Sequence, residues 1–440
     1  MTTPVEQTVL ILGAGLTGLA VAHFLDRQGY RVTLLDNPDW QDGYGIDATD
    51  IAPILFGRHQ ATWHLLRSIE NTTSSQLDRM VPLEFRLPDG RITAYQSTHL
   101  PGALQWMTSL FSFHGLAWQD RWTLFSHLEQ IWEEAQALPA DLNNRLAEEW
   151  LTSIGQSQEA RQSIWNPLIR WLTGNELGHL SATMFVQQLS TLFLGRTMDA
   201  RLTYLHGSIE DRFHAPLKET LKRHDVQILS LTHTPALRFG PDGVSGVQLH
   251  DGAVIHAHWY VAALSHQRLL SLLPERLLTR FAYFAQISEL ETVPQTTVQF
   301  AWRSTTASPR LLLFADRPFH YLTVAPCESD EIRYRLSAVG NPALMDLDDD
   351  QLTSLGRTEL LLLAPEIRQE NLHSVEITRQ NHAALSLKPG AALLRPIQQS
   401  PVDNLLIAGA WTDTGWPANI ESTIVSAQRC ADIISGRGRR

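Results

Sequence analysis

Three glycines at a fixed spacing, Gly13, Gly15 and Gly18, and a carboxylate 18 positions further on, Asp36, carry the clearest chemical signal in this chain. In "TVLILGAGLTGLAVAHFLDRQGYRVTLLD" the apolar run Thr8–Leu12 reads as a buried strand. A helix follows from Leu16 to Arg27, ended by Gly29, and Arg31–Leu35 reads as a second strand. Gly13 permits the tight turn, Gly15 lets a pyrophosphate approach the backbone, and Gly18 lets the helix pack closely on the strand. The turn Gly13, Ala14, Gly15, Leu16, Thr17, Gly18 is therefore expected to hold a dinucleotide, with Asp36 accepting from ribose hydroxyls. The fingerprint serves NAD and FAD alike and does not choose between them.

A second anion-binding device lies near the other end. "AGAWTDTGWPANIES", residues 408–422, follows the apolar run Leu405–Ile407 and contains the breakers Gly415 and Pro417. Ile420, Ile424, Ala427, Ala431 and Ile434 then recur on one helical face. A strand that delivers a helix N-terminus presents unpaired N–H groups to an electron-rich partner.

Composition limits what these devices serve. The 440 residues suffice for two or three packed lobes. A hydrophobic share of 43% with 18% charged residues is that of a soluble globular chain, and the net charge of −11 argues against a nucleic-acid partner. Cys327 and Cys430 are the only cysteines, which suggests neither a disulfide framework nor a zinc site and fits a reducing compartment. The start of the chain reads as a first strand rather than a signal peptide, and no apolar run is long enough to span a bilayer. No metal site is expected: His256 and His258 alternate with apolar residues as on a strand, and "DLDDDQ" at 346–351 reads as the acidic start of a helix.

The two ends together resemble FAD-dependent oxidoreductases of the amine-oxidase and carotenoid-desaturase type, whose C-terminal segment returns to the nucleotide domain. "NLLIAGAWTDTGWPANIESTIVSAQRCADII" is similar to that segment. Within that superfamily the chain resembles the hydroxysqualene dehydroxylases, whose pattern is close to A-G-D-W-T-x-T-G-L-P-A-T-I-E-S. Ala408, Gly409, Trp411, Thr412, Thr414, Gly415, Pro417, Ala418, Ile420, Glu421 and Ser422 match it. "RLPDGR", "WLTSIGQSQEARQSIWNPLIRWLTGNELGHLSATMF" and "LLRPIQQSPVDNLLIAG" resemble further family segments. The resemblance implies FAD as cofactor, with Gly409, Trp411, Thr414, Gly415, Pro417, Ala418, Asn419 and Ile420 beside the isoalloxazine. It also implies that the Val226 backbone holds the adenine.

Three departures stand against the family pattern. The stretch after Asp36, "NPDWQDGYGIDATD", offers Gly43 and Gly45 but no pyrophosphate-binding arginine, for which Arg58, at a helix start, is the substitute considered. The D-N-G-Q-H stretch is not legible in "IDATDIAPILFG", and Ala410 stands where the family has aspartate. One lost charged contact costs about 1.5–3 kcal/mol.

The implied fold is α/β: a Rossmann-type, glutathione-reductase-like FAD domain made of residues 1–64, 200–265 and 391–436, with an inserted α+β substrate domain of 65–199 and 266–390. The implied reaction is reductive dehydroxylation of hydroxysqualene to squalene. The alternatives are a carotenoid-type desaturation and a non-catalytic partner subunit with weak flavin binding. No catalytic residue is assigned, although Asp413 and Glu421 lie in the right motif to supply a proton. The substrate would be an apolar isoprenoid and the electron donor is unknown. Seven of the 13 tryptophans fall in residues 100–171, as core packing or as a membrane-facing entrance. The expected location is the cytoplasm, with a membrane surface (the inner membrane face) as a candidate partner.

Overall fold

In the computed structural model, residues 7–40, 53–69, 78–95, 103–133, 140–193, 199–241, 243–303, 308–326, 331–365, 367 and 372–436 are described. Gly43, Gly45 and the segment that lacks the family arginine fall outside them.

A five-stranded parallel sheet forms the frame, in the order Leu405–Ile407, Trp259–Ala262, Thr8–Leu12, Arg31–Asp36, Gln227–Ser230. Strands Thr8–Leu12, Trp259–Ala262 and Leu405–Ile407 are short, largely buried apolar runs, as burial on both faces requires. Helix Leu16–Asp26 packs on one face against helix Ile420–Ile434, whose expected stripe (Ile420, Ile424, Ala427, Ala431, Ile434) is buried in the same core. All five strands come from the three segments assigned to the nucleotide domain.

A seven-stranded sheet comes from the other two segments, in the order Leu372–Leu385, Thr292–Arg303, Glu331–Val339, Tyr321–Pro326, Arg310–Phe314, Leu83–Arg86, Ile92–Tyr95. It is antiparallel except where Arg310–Phe314 meets Leu83–Arg86. One face packs Val298, Phe300, Leu322 and Leu336 against helix Asp349–Leu363. That helix opens as the sequence suggests: Asp348 accepts from the Gln351 N–H at 2.8 Å, and Gln351 returns a bond to the Asp348 N–H at 3.1 Å.

A small sheet of Ile54–Phe56, Leu202–Tyr204 and Arg79–Val81 mixes segments assigned to the two lobes, so the chain passes between them more than once. One local expectation is corrected. His256 and His258 lie between strands Val254–Ile255 and Trp259–Ala262 and not in either. Arg58 lies in the turn ahead of helix Gln60–Ile69, with its guanidinium over the Trp416 ring.

Candidate functional site

The parallel strands Thr8–Leu12, Trp259–Ala262 and Leu405–Ile407 end at one edge of the sheet, and their exits interlock there. Ala263 donates its N–H to Leu12 O at 2.9 Å and Ala408 donates to Ala262 O at 3.0 Å. Gly13 adopts φ 105°, and a Cβ on it would run into the Ala263 carbonyl oxygen; a Cβ on Gly18 would run into the carbonyl of Gly13. These two glycines are therefore required by the fold itself. Gly15 differs. It is exposed, has an ordinary φ of −69°, and occupies the N-cap of helix Leu16–Asp26 with no side chain capping the first turn. Ala14 and Leu16 are buried, while Thr17 is half-buried.

Asp36 ends the neighbouring strand half-buried, and Asn37 beside it is buried with no partner for its Nδ2. An uncapped helix N-terminus, an open glycine, a carboxylate and an unpaired amide donor lie along the carboxyl ends of adjacent strands. They fit the pyrophosphate and ribose of a dinucleotide.

Val226 does not join them. Strand Gln227–Ser230 runs parallel to Arg31–Asp36, with Gln227 opposite Thr33 and Ser230 opposite Asp36. Val226 therefore stands at the amino end of its strand, roughly 13 Å from the level of Asp36 at ~3.3 Å per residue. Its N–H is taken by Leu221 O at 3.0 Å. The chain level with Asp36 is Ser230–Leu231, where the Leu231 N–H donates to Asp36 O at 2.7 Å.

The C-terminal loop divides by role. Gly409, Trp411 and Thr414 are spent on building it: the Gly409 N–H donates to Ser426 Oγ at 2.9 Å, and buried Trp411 donates Nε1–H to Leu264 O at 2.9 Å. Thr414 and Ser422 share a hydroxyl contact of 2.6 Å. Arg395, buried, donates to the carbonyls of Ala410, Trp411, Thr412 and Trp416 at 3.0, 3.2, 2.6 and 2.6 Å. One guanidinium thus fixes the course of the loop. Gly415 turns at φ 82° and is exposed, and Pro417 is buried.

Asn419 caps helix Ile420–Ile434 by accepting from the Ser422 N–H at 2.9 Å. Its neighbours Ala418 and Ile420, with Asn419 itself, line a cavity of about 230 Å³. The second face of the seven-stranded sheet also lines it, through Gln295, Tyr321, Thr323, Arg335 and Ser337. Leu55, Phe56 and Trp171 supply apolar lining. His59 also lines it, buried, with Nδ1 unpaired and burial lowering its pKa to about 3.

Neither carboxylate of the C-terminal motif lines this cavity. Asp413 is exposed, and Glu421 is buried, accepting from the N–H groups of Ala61 and Thr62 and from the Thr62 hydroxyl. Burial raises the pKa of Glu421, against the pull of those Thr62 and Ala61 bonds.

Ala410 is buried, and its carbonyl is held by Arg395 and by Ser422 Oγ at 2.8 Å. The Thr412 hydroxyl beside it is bonded to Gly409 O and Ser426 Oγ.

The pattern of flavin-containing amine oxidoreductases matches residues 42–435, and that of an NAD(P)-binding Rossmann-like domain matches residues 11–52. The chain belongs to the flavin-containing amine oxidoreductase family. It is an FAD-dependent oxidoreductase, not the non-catalytic relative that the altered segments left open. Among curated relatives of this family, the zeta-carotene desaturase of Synechocystis sp. is 24% identical, over 97% of this chain and 96% of the relative. The 15-cis-phytoene desaturase of Synechococcus elongatus is 22% identical, over 98% and 96%. In fold, the chain is similar to an oxidoreductase from Methanosarcina mazei (TM-score 0.72, 12% identity, covering 97% of this chain and 100% of that one). A triple mutant of putrescine oxidase gives a TM-score of 0.73 at 14% identity, over 98% and 99%. The two curated relatives are carotenoid desaturases, whereas the C-terminal motif resembles that of the hydroxysqualene dehydroxylases.

Proposed function

We propose that this flavoenzyme acts on an isoprenoid chain, and that desaturation is the reaction its relatives support best. The observation that carries the reading is whole-length similarity to two carotene desaturases, which spans both the nucleotide sheet and the substrate sheet. Bound FAD would supply two-electron redox chemistry at carbon, held by Gly13–Gly18 and Asp36 and flanked by Ala418–Ile420. The chain's own contribution is positional. Helix Ile420–Ile434 aims its first N–H groups, Arg395 holds the loop ahead of it, and Leu55, Phe56 and Trp171 keep water from the reacting carbons. No residue of the C-terminal motif supplies a proton in this reading, since Glu421 is committed to Thr62.

Reductive removal of a tertiary allylic hydroxyl from hydroxysqualene is the second reading. It is favoured by the C-terminal motif and by the hydrogen-bonding residues on the cavity wall. Incubating the FAD-loaded protein with phytoene or zeta-carotene and a quinone acceptor tests the first. Longer conjugation, read as a red-shifted absorbance, is the expected result. Conversion of hydroxysqualene with a reductant, and no change in either carotene, would replace it with the second. For location, we propose a peripheral place on a membrane surface, where an isoprenoid would be dissolved; no helix among the described residues is long and apolar enough to cross a bilayer.

A further inference from the structure

His59 is a buried polar side chain on the cavity wall that the protein leaves without a partner. Only 6% of it is exposed, and among the described residues neither ring nitrogen makes a hydrogen bond. Its ring neighbours are aromatic: Phe56 at 5.5 Å and Trp416 at 5.4 Å, both in T-shaped contact.

The place of this imidazole is fixed from two sides. The His59 N–H donates to Phe56 O at 3.0 Å, and its carbonyl accepts from the Trp63 N–H at 2.9 Å, so that it opens helix Gln60–Ile69. Ala61 and Thr62, just beyond it, donate their N–H groups to Glu421 at 3.0 and 2.9 Å. Glu421 lies in the first turn of helix Ile420–Ile434. His59 is thereby held to the segment Trp416–Ile420, the one that flanks the flavin in the reading above, and both border the same cavity.

Burial lowers the pKa of His59 to about 3, so at neutral pH the ring carries one proton and one lone pair. Nδ1 is the sealed nitrogen. A sealed lone pair is tolerated more readily than a sealed N–H, which puts the proton on Nε2, the nitrogen left to meet an occupant of the cavity. An N–H left unpaired in a filled, dry cavity costs about 1–3 kcal/mol. A hydrocarbon chain offers it no acceptor. A flavin does, through the ring nitrogens and carbonyl oxygens of its isoalloxazine.

We propose that His59 donates its Nε2–H to an electron-rich edge atom of the isoalloxazine and so raises the midpoint potential of the bound flavin. The proposal rests on FAD as cofactor and not on the isoprenoid reading. A reduced flavin carries more negative charge, and a hydrogen bond to a charged acceptor is roughly twice as strong as one to a neutral acceptor. The bond therefore favours the reduced state over the oxidised one. It leaves the apolar lining of Leu55, Phe56 and Trp171 to the substrate.

Spectroelectrochemical titration of the FAD-loaded protein without substrate, beside His59→Phe and His59→Gln, tests this. Phenylalanine keeps a ring against Phe56 and Trp416 and removes the donor, whereas glutamine keeps an N–H donor. In His59→Phe the ratio of reduced to oxidised flavin at a given potential should fall about tenfold, a midpoint lower by about 30 mV for a two-electron couple. In His59→Gln the ratio should stay within about threefold of the unaltered protein. In 15N-histidine spectra of the unaltered protein, one imidazole signal should shift when the flavin is reduced, and that signal should be missing from His59→Gln. A flavin-replete His59→Phe protein with an unchanged midpoint gives the N–H to water and overturns the proposal. Equal lowering by phenylalanine and glutamine assigns the effect to packing and overturns it too. If His59→Phe does not fold or hold flavin, the histidine spectrum of the unaltered protein decides, and no signal responding to reduction is the overturning result. The isoprenoid reading stands or falls separately, on conversion of substrate.

Discussion

The carboxylate of Glu421 accepts both the backbone N–H and the hydroxyl of Thr62, at 2.9 and 2.7 Å, and so ties the first turn of the last helix to the first turn of Gln60–Ile69. The donors it satisfies belong to the helix N-terminus of another element, where no intrahelical acceptor exists. Glu421→Ala would leave them unpaired in a buried site and is expected to cost about 3 kcal/mol. Glu421→Gln, which keeps an acceptor oxygen, should cost about half as much. Urea denaturation of the three proteins measures both. If alanine and glutamine prove equally harmless, the contact contributes nothing to stability.

Gly15 and Gly18 should fail differently. Gly15 has ordinary dihedrals and an open position, so Gly15→Val leaves the flavin-free fold standing within about 1 kcal/mol. Its added methyls occupy the space a pyrophosphate needs, and flavin should be absent from the purified protein. In Gly18→Ala the new Cβ meets the Gly13 carbonyl, and the fold itself should lose about 3 kcal/mol or more. Melting curves of the apo proteins and visible spectra of the purified ones separate the two effects. A flavin-replete Gly15→Val protein would show that the cofactor lies elsewhere.

Both ends of the chain were legible because their signals are local. Gly13 and Gly18 follow a strand and enter a helix within a dozen residues, and the stripe Ile420–Ile434 has a helical period. What was missed depends on contacts between distant segments. Nothing near Arg395 in sequence announces that its side chain holds four carbonyls of residues 410–416, or that Glu421 serves a helix 360 positions away. Val226 was misplaced because a strand's sequence does not tell which of its ends lies beside Asp36; the register does. The polar sheet face was readable in principle. "QTTVQF", "YLTV" and "YRLSAV" alternate with period two, and one of the two interleaved sets is polar in each. Which set faces the cavity follows only from where helix Asp349–Leu363 packs.

Acid should destabilise the protein from a higher pH than its carboxylates alone would set. His23, His59 and His320 are buried and held neutral, with burial lowering their pKa values to about 4, about 3 and about 3 from 6.5. Between those values and 6.5 the unfolded chain takes up protons that the folded one refuses, so stability falls as pH falls through that window. Each histidine contributes a slope of up to about 1.4 kcal/mol per pH unit. Glu421, raised from 4.5, acts in the opposite sense and is outnumbered. Urea midpoints at pH 7.5, 6, 5 and 4.5 should decline continuously, and His23→Gln should make the slope shallower by about a quarter, since His214 is also buried with its pKa lowered by burial. A flat profile down to pH 4.5 would mean that these histidines accept protons without unfolding the chain.

The tryptophans divide between core and surface, and the exposed ones make a prediction of their own. Trp150 and Trp165 are buried, and the side chains of Trp106 and Trp132 lie outside the described residues. Trp118 and Trp122 are 65% and 55% exposed on helix Trp118–Glu133, and their rings lie 5.2 and 6.3 Å from that of Phe111. Indoles grouped in this way suit the level of lipid headgroups, where an amphipathic ring is half apolar and half wet. The net charge of −11 gives anionic lipid no general attraction, so binding should rest on apolar burial and persist in high salt. At roughly 1.5 kcal/mol for each ring, Trp118→Ser with Trp122→Ser should weaken binding to phosphatidylcholine vesicles about a hundredfold. Flotation at low and high salt measures it, with Trp150 unchanged so that the core is untouched. Flotation that disappears in salt would assign the attraction to charge, and equal flotation of the two proteins would place the membrane contact, if there is one, on another face.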